Sequence, residues 1–314
     1  MKRRQAAVLV WHESAAEYRR QIARLLPVTH IEIRGPGGDA APLPEIRVLL
    51  AWRLPEGALR SLPQLEWVQA TGAGVDHLLE RADLRPEVLL TRSLGRFGAQ
   101  VAEYVVGHLL ERLLDIEGYR RQQQRRHWQR QPRPLLADST VGIVGLGSLG
   151  RAVAARVSAF GARVLGARRL SGDVPHVERV YSQENWRQML PLCDVLVLAV
   201  PKTAATTGMV NAEAIASLRP GAVLVNVARG GLVEEDALVE ALQSGQLSAA
   251  VLDVFRQEPL PQDHPLWDQA GARITPHIAA PSEIDSIASE FAANYRRFVN
   301  GDPLRNVVDR ERGY

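Results

Sequence analysis

A chain of 314 residues with 46% hydrophobic content is long enough for two domains and two cores. Its net charge of +3 is small, and a single cysteine, Cys193, excludes an internal disulfide framework and any multi-cysteine metal site. Of 38 basic residues only Lys2 and Lys202 are lysine; the arginine excess and the pI of about 9.3 read as compositional bias rather than a nucleic-acid face.

Taken in order, Lys2-Arg-Arg followed by Ala6-Ala-Val-Leu-Val-Trp11 has the outline of a signal peptide. The apolar run is too short, though, and His12 and Glu13 end it, so a first strand at Val8-Leu-Val is expected. No run approaches the roughly 18 to 20 apolar residues of a membrane span. A soluble, cytoplasmic protein that binds neither membrane nor nucleic acid is expected. Helical spacing covers 15–26, Ile31-Glu-Ile is a second strand, and a Gly/Pro-rich loop fills 35–44. Val48-Leu-Leu-Ala-Trp52, Trp67-Val-Gln-Ala-Thr71 and Val88-Leu-Leu-Thr91 are further strands, with one or two helical turns over 57–62. Strands alternating with helices predict a parallel sheet covered on both faces. After Thr71 the small residues Gly72-Ala-Gly-Val-Asp76 expose backbone N–H groups at a strand's carboxyl end, which suits an anion as well as a plain turn.

Residues 98–118 carry the strongest helical pattern. Val101, Val105, Leu109 and Leu113 recur every four positions, with Tyr104, Leu110, Leu114 and Ile116 widening the stripe enough to predict burial on two sides. The arginine-rich run 119–134 reads as a solvated connector with Trp128 as its packing anchor. Cys193, in an apolar run, reads as a small core residue.

The second half is organised around Val141-Gly-Ile-Val-Gly145-Leu-Gly147-Ser-Leu-Gly150. A β-branched run, a Gly-x-Gly-x-x-Gly turn and a helical pattern follow one another as in a dinucleotide-binding unit. Gly145 permits the tight turn, Gly147 lets backbone approach a pyrophosphate, and Gly150 lets the helix pack on its strand. The next strand, Arg163-Val-Leu-Gly-Ala167, ends in Arg168-Arg169, where an NAD-specific fold offers a carboxylate to the ribose 2′-hydroxyl. Two arginines there suit a 2′-phosphate, so NADPH is the expected cofactor, with NADH possible. Strands follow at Val195-Leu-Val-Leu-Ala-Val200, Ala222-Val-Leu-Val-Asn-Val227, Ala249-Ala-Val-Leu-Asp253 and Arg273-Ile-Thr275, with a helix over 234–243.

Three strand ends carry chemistry. Val227-Ala-Arg229-Gly-Gly231, Asp253-Val-Phe-Arg-Gln-Glu258 and Thr275-Pro-His277 would share one edge of a parallel sheet. Taken singly, Arg229 reads equally as a surface cation, Glu258 as a loop acid and His277 as a core histidine. Together they suit hydride transfer to a carbonyl: a histidine to protonate the alkoxide, a carboxylate to fix its tautomer, an arginine fork for a substrate carboxylate. The eight scattered histidines show no metal-ligand spacing, so no metal is expected.

These stretches, with Leu218-Arg-Pro-Gly-Ala-Val-Leu-Val-Asn-Val-Ala-Arg229 and Leu252-Asp-Val-Phe-Arg-Gln-Glu258-Pro-Leu-Pro261, resemble the D-isomer-specific 2-hydroxyacid dehydrogenases over nearly the whole chain. Trp52, the loop at 72–76 and the tail Val308-Asp-Arg-Glu-Arg-Gly-Tyr314 are most similar to the glyoxylate/hydroxypyruvate reductase branch. The resemblance implies an α/β protein with two Rossmann-like domains of parallel sheets. One is a discontinuous, flavodoxin-like substrate domain over 1–100 and 283–314; the other is a doubly wound NAD(P)-binding domain over 101–282. It implies that Arg229, Glu258 and His277 are catalytic, with His277 the acid and Glu258 its partner. Trp52, Arg53, Ala73, Gly74, Val75 and Arg229 are the implied substrate residues, the backbone of Gly74 and Val75 meeting the carboxylate. Arg53 departs from the family pattern, and either enlarges the anion site or points to solvent. Implied cofactor contacts are Gly145, Gly147, Ser148, Leu149, Gly150, Arg168, Arg169, Pro201, Thr206, Val227, Ala228, Asp253 and Ala279, with Asp253 near the nicotinamide amide. Also implied are a homodimer through the long helix and its connector, and a cleft that closes over substrate.

The expected activity is thus NADPH-dependent reduction of small 2-oxo acids such as glyoxylate and hydroxypyruvate. The alternatives are a dehydrogenase for a bulkier D-2-hydroxy acid or a phosphonate, and, from another class, a nucleotide-sensing corepressor-like interaction protein built on the arginine-rich connector.

Overall fold

The computed structural model describes residues 6–26, 30–38, 41–169 and 172–314. The Lys2-Arg-Arg start and residues 39–40 of the loop predicted over 35–44 lie outside the described residues. Two compact units form, one from the stretch up to Phe97 together with Ser282–Tyr314, the other from Gly98–Pro281.

The first unit runs β1 (Ala7–Trp11), α1 (Ala15–Leu25), β2 (Ile31–Arg34), β3 (Ile46–Ala51), β4 (Trp67–Ala70), α2 (Asp76–Leu79) and β5 (Leu89–Arg92). Its sheet has the order β2-β1-β3-β4-β5, parallel throughout, which is the flavodoxin-like winding. Covered on both faces, the central strands read as continuous apolar runs, and β4 is buried at every position.

In the second unit come α3 (Phe97–Leu113, its first residue at the unit boundary), α4 (Ile116–Gln124), β6 (Thr140–Val144), α5 (Ser148–Ala159), β7 (Arg163–Arg168), β8 (Arg179–Ser182), β9 (Val195–Leu198), α6 (Ala212–Ala216), β10 (Ala222–Asn226), α7 (Glu235–Ser244), β11 (Leu247–Leu252) and β12 (Ala272–Ile274). The seven strands lie parallel in the order β12-β11-β10-β9-β6-β7-β8, a doubly wound sheet in which the direction of strand addition reverses between β6 and β9. Val101, Val105 and Leu109 of α3 pack with Val153 and Val157 of α5 over Val141 and Ile143 of β6. The final helix, α8 (Ile284–Asn300), belongs to the first unit. There Phe291 stacks on Trp67 at 5.2 Å, and the Tyr295 hydroxyl donates to the Ala6 carbonyl at 2.8 Å.

Three sequence expectations need correction. The single helix over 98–118 is two, because Asp115 turns left-handed (φ 47°) and its carboxylate accepts from the Gly118 N–H, capping α4. Part of the arginine-rich stretch is therefore helical, and Leu114 and Ile116, counted in the buried stripe, are exposed at the break. Trp128 anchors nothing within this chain, being 91% exposed. The strand β8 has no counterpart in the sequence reading, since four residues with one buried position leave no periodicity to read. As expected, Cys193 is core: a Cβ on Gly142 of β6 would fall 2.4 Å from its sulfur, and burial pushes the thiol up to about 12.

Candidate active site

The reversal between β6 and β9 brings two loops to one place. The first is the glycine-rich turn after β6. Gly145 has φ +101°, and a Cβ there would lie 2.5 Å from the Ala199 carbonyl carbon at the end of β9, so this position needs glycine twice over. A Cβ on Gly150 would come within 1.8 Å of the Gly145 oxygen, which seats the start of α5 against its own turn. Gly147, the residue before α5, is different: a Cβ there meets no heavy atom within 4 Å. Ser148 is exposed and Leu149 half-buried beside it. The protein's own packing explains the outer two glycines and leaves the middle one free for close approach of something else.

The second loop follows β9. Thr206, buried, donates its hydroxyl to the Pro201 carbonyl at 2.7 Å and accepts from the Thr203 N–H at 2.8 Å, so it shapes this loop. At the end of β7, Arg168 is half-buried and Arg169 exposed. The twelve-residue α5 directs its N-terminal N–H groups to the same edge of the sheet.

Further along that edge, the order β12-β11-β10 makes three strand ends neighbours. Just past β10, Val227 and Ala228 are buried and Arg229 half-buried. Asn226 pins this turn, accepting from the Ala228 N–H at 3.2 Å and donating to the Arg229 carbonyl at 2.9 Å. Gly230 lets it meet the loop after β11, because a Cβ there would sit 1.9 Å from the Phe255 carbonyl carbon. In that second loop Glu258 accepts from the Phe255 N–H through Oε1 at 3.1 Å, which turns Oε2 to His277 Nδ1 at 2.9 Å. His277, 42% exposed at its side chain, sits in the left-handed region with φ 56°. Its Nε2 has no partner among the described residues.

Asp253 holds His277's loop. Its carboxylate, 1% exposed, accepts from the Ile278 and Ala279 N–H groups, both at 2.8 Å, and from the Thr275 hydroxyl at 2.5 Å. Since Thr275 gives its one proton to Asp253, the Tyr104 hydroxyl donates to Thr275 across 2.6 Å. Burial pushes Tyr104 up to about 12, so it stays a donor. The helical pattern makes Tyr104 part of an apolar stripe, and the family resemblance implies Asp253 beside a cofactor. Only the fold joins them, and a tyrosine at a helical core position carried no other signal.

In the first unit, Trp52, Arg53 and the loop at 72–76 lie at the ends of β3 and β4. The Trp52 ring lies over Gly72, where a Cβ would fall 2.4 Å from it, and packs edge-on against His77 at 4.4 Å. His77 Nε2 stands 2.7 Å from the Trp52 carbonyl. Ala73 and Gly74 are half-buried, Val75 is buried and Arg53 is exposed. Among the described residues no group of histidine, cysteine and carboxylate side chains could hold a metal, and no helix is long and apolar enough to cross a membrane.

A doubly wound parallel sheet with a glycine-rich loop at its reversal defines a class, the dinucleotide-binding α/β proteins. A family model described as "D-isomer specific 2-hydroxyacid dehydrogenase, NAD binding domain" matches residues 106–279. A glyoxylate/hydroxypyruvate reductase A of Serratia proteamaculans is 34% identical over 96% of this chain and 97% of its own length. Two solved structures superpose with a TM-score of 0.90, each covering 98% of this chain and 100% of the other. One is a D-isomer-specific 2-hydroxyacid dehydrogenase of Xanthobacter autotrophicus in complex with NADPH and MES, 34% identical. The other is an NADPH-dependent glyoxylate/hydroxypyruvate reductase of Sinorhizobium meliloti in complex with NADP and sulfate, 31% identical. The chain belongs to the D-isomer-specific 2-hydroxyacid dehydrogenase family, in its glyoxylate/hydroxypyruvate reductase branch.

Proposed function

We propose that this oxidoreductase reduces small 2-oxo acids, glyoxylate and hydroxypyruvate, with NADPH preferred over NADH. The observation that carries the reading is the 2.9 Å pair of His277 Nδ1 and Glu258 Oε2 beside Arg229, at three adjacent strand ends. The second unit fits a dinucleotide: Gly147 offers open space at the start of α5, and Gly145, Ser148, Leu149, Gly150, Pro201, Val227, Ala228 and Ala279 edge the same sheet end. Bound there, the cofactor supplies the hydride. Arg168 and Arg169 at the end of β7 support the phosphorylated form, as do the relatives described with NADPH or NADP.

The chain's own residues do the rest. As hydride reaches the carbonyl carbon, negative charge grows on the oxygen, and His277 Nε2 donates its proton there. Glu258 accepts from Nδ1–H throughout, so the neutral ring left behind keeps that tautomer. Arg229 offers a forked donor to the carboxylate and carbonyl. Asp253, through two backbone N–H groups and Thr275, holds the His277 loop still. In the first unit the Gly74 and Val75 N–H groups take the substrate carboxylate, with Trp52 alongside. Homodimer formation through α3 and the following connector belongs to the same reading. Trp128 and Leu135, 91% and 66% exposed, would supply apolar surface for it.

A panel of 2-oxo acids assayed with NADPH and NADH side by side tests this. Glyoxylate and hydroxypyruvate should be turned over fastest with NADPH, and His277→Ala should lose about 10²–10⁴-fold in kcat. Full activity of that variant refutes the mechanism; an NADH preference untouched by Arg168→Ala refutes the cofactor assignment.

A further inference from the structure

Close to the loop whose Gly74 and Val75 N–H groups the resemblance implies as carboxylate donors, the first unit holds a second arginine besides Arg53. Arg92 ends β5 in register with Ala70 of β4, so it emerges beside the loop Gly72-Ala-Gly-Val-Asp76. Its backbone is fixed on every side. Thr91 and Ser93 are fully buried, the Ser93 N–H is shared between the Ala70 and Gly72 carbonyls at 3.1 and 3.2 Å, and the Arg92 N–H donates to Asn306 at 3.1 Å. The Thr91 and Ser93 hydroxyls enter a buried network with Gln69, to which Asn294 of α8 also donates.

The half-buried guanidinium has five N–H groups. One, on Nη1, donates to the Ala73 carbonyl at 3.4 Å, and no other side-chain acceptor or backbone carbonyl is within bonding reach among the described residues. Burial pushes this guanidinium below its usual value, with Tyr314 at the chain end opposing the shift. A half-buried cation with one long hydrogen bond keeps donors to offer a further anionic partner.

Its one acceptor is informative. The Ala73 carbonyl and the Gly74 N–H are two ends of one trans peptide and point in opposite directions. A charged donor on the carbonyl fixes that plane and polarises it, strengthening the N–H at the far end. We propose that Arg92 is a positioning residue for the substrate carboxylate: it sets the Ala73–Gly74 peptide so that Gly74 N–H faces the carboxylate, and adds fixed positive charge behind it. The proposal rests on Gly74 and Val75 being the carboxylate's backbone donors.

The test is oxamate binding by calorimetry in the presence of NADPH, paired with glyoxylate kinetics. Arg92→Met should weaken oxamate and raise the glyoxylate KM by about tenfold or more, the loss of roughly one charge-assisted interaction. Its kcat, NADPH KM and Tm should stay near those of the parent, and Arg92→Lys should recover part of the affinity. An unchanged oxamate affinity in Arg92→Met, or a fall in kcat with KM untouched, overturns the proposal. If Arg92→Met does not fold, Arg92→Gln is read by the same criteria. A parent protein that binds oxamate through Arg92 but does not reduce glyoxylate refutes the reductase reading and leaves Arg92's role standing. A parent that fails to bind oxamate overturns both.

Discussion

Gly147→Ala separates what the glycine-rich loop does for the fold from what it does for a ligand. A Cβ at Gly147 meets no heavy atom within 4 Å, and φ −75° with ψ −158° is open to any residue. The residue caps α5, where exchanging glycine for alanine costs less than about 1 kcal/mol. The stiffer unfolded chain offsets this by about 0.4–1 kcal/mol. Tm should therefore move by no more than about 4 °C. A phosphate drawn against the N–H groups at the start of α5 would meet the new methyl group. Losing one charge-assisted hydrogen bond costs about 1.5–3 kcal/mol, or about ten- to a hundredfold in the NADPH dissociation constant. Fluorescence titration with NADPH and a thermal melt on the same sample check both halves. Gly150→Ala is the control, because its Cβ would lie 1.8 Å from the Gly145 oxygen and the fold itself must yield, at about 1–3 kcal/mol. Parent-like NADPH affinity in Gly147→Ala, or a Tm falling as far as that of Gly150→Ala, refutes the reasoning.

Two further outcomes follow from the geometry. Gly230→Ala would put a Cβ 1.9 Å from the Phe255 carbonyl carbon, forcing the Arg229 turn away from the Glu258 loop. A displacement near 1 Å should cost about a hundredfold in kcat/KM, and a parent-like value would show that the close approach is dispensable. His12, half-buried at the end of β1 against Tyr18, accepts from the Ser14 N–H through Nδ1 at 3.0 Å, and burial lowers its pKa against the opposing charge of Glu13. The unfolded chain then binds a proton first as pH falls below about 6.5, so His12 removes stability from there down to its folded value and none above. Urea melts from pH 7.5 to 5 should show a steeper loss in the parent than in His12→Asn; identical slopes would exclude this role.

Much of the fold was legible because a parallel sheet covered on both faces writes itself as short apolar runs. Of the strands, only β8 was missed. Boundaries differ where one residue's backbone conformation decides them: the helix expected to reach 118 stops at Leu113 because Asp115 turns left-handed and caps the helix that follows. Local pattern likewise supplied the types at the strand ends, Arg229, Glu258 and His277, and the glycines of the turn.

What the sequence by itself determined was chemistry in kind: a nucleotide loop, an acid with its carboxylate, an arginine. Proximity was decided by tertiary structure alone, since strand order and parallel register join residues far apart in the chain. The order β12-β11-β10 sets Glu258 2.9 Å from His277. Folding of α3 onto the second unit's core carries Tyr104 to Thr275, and so to Asp253. The pairing of β4 with β5 delivers Arg92 to the Ala73 carbonyl. No local pattern marks such residues, because a hydrogen bond between strands depends on register, and register is settled only when the whole sheet closes on its core.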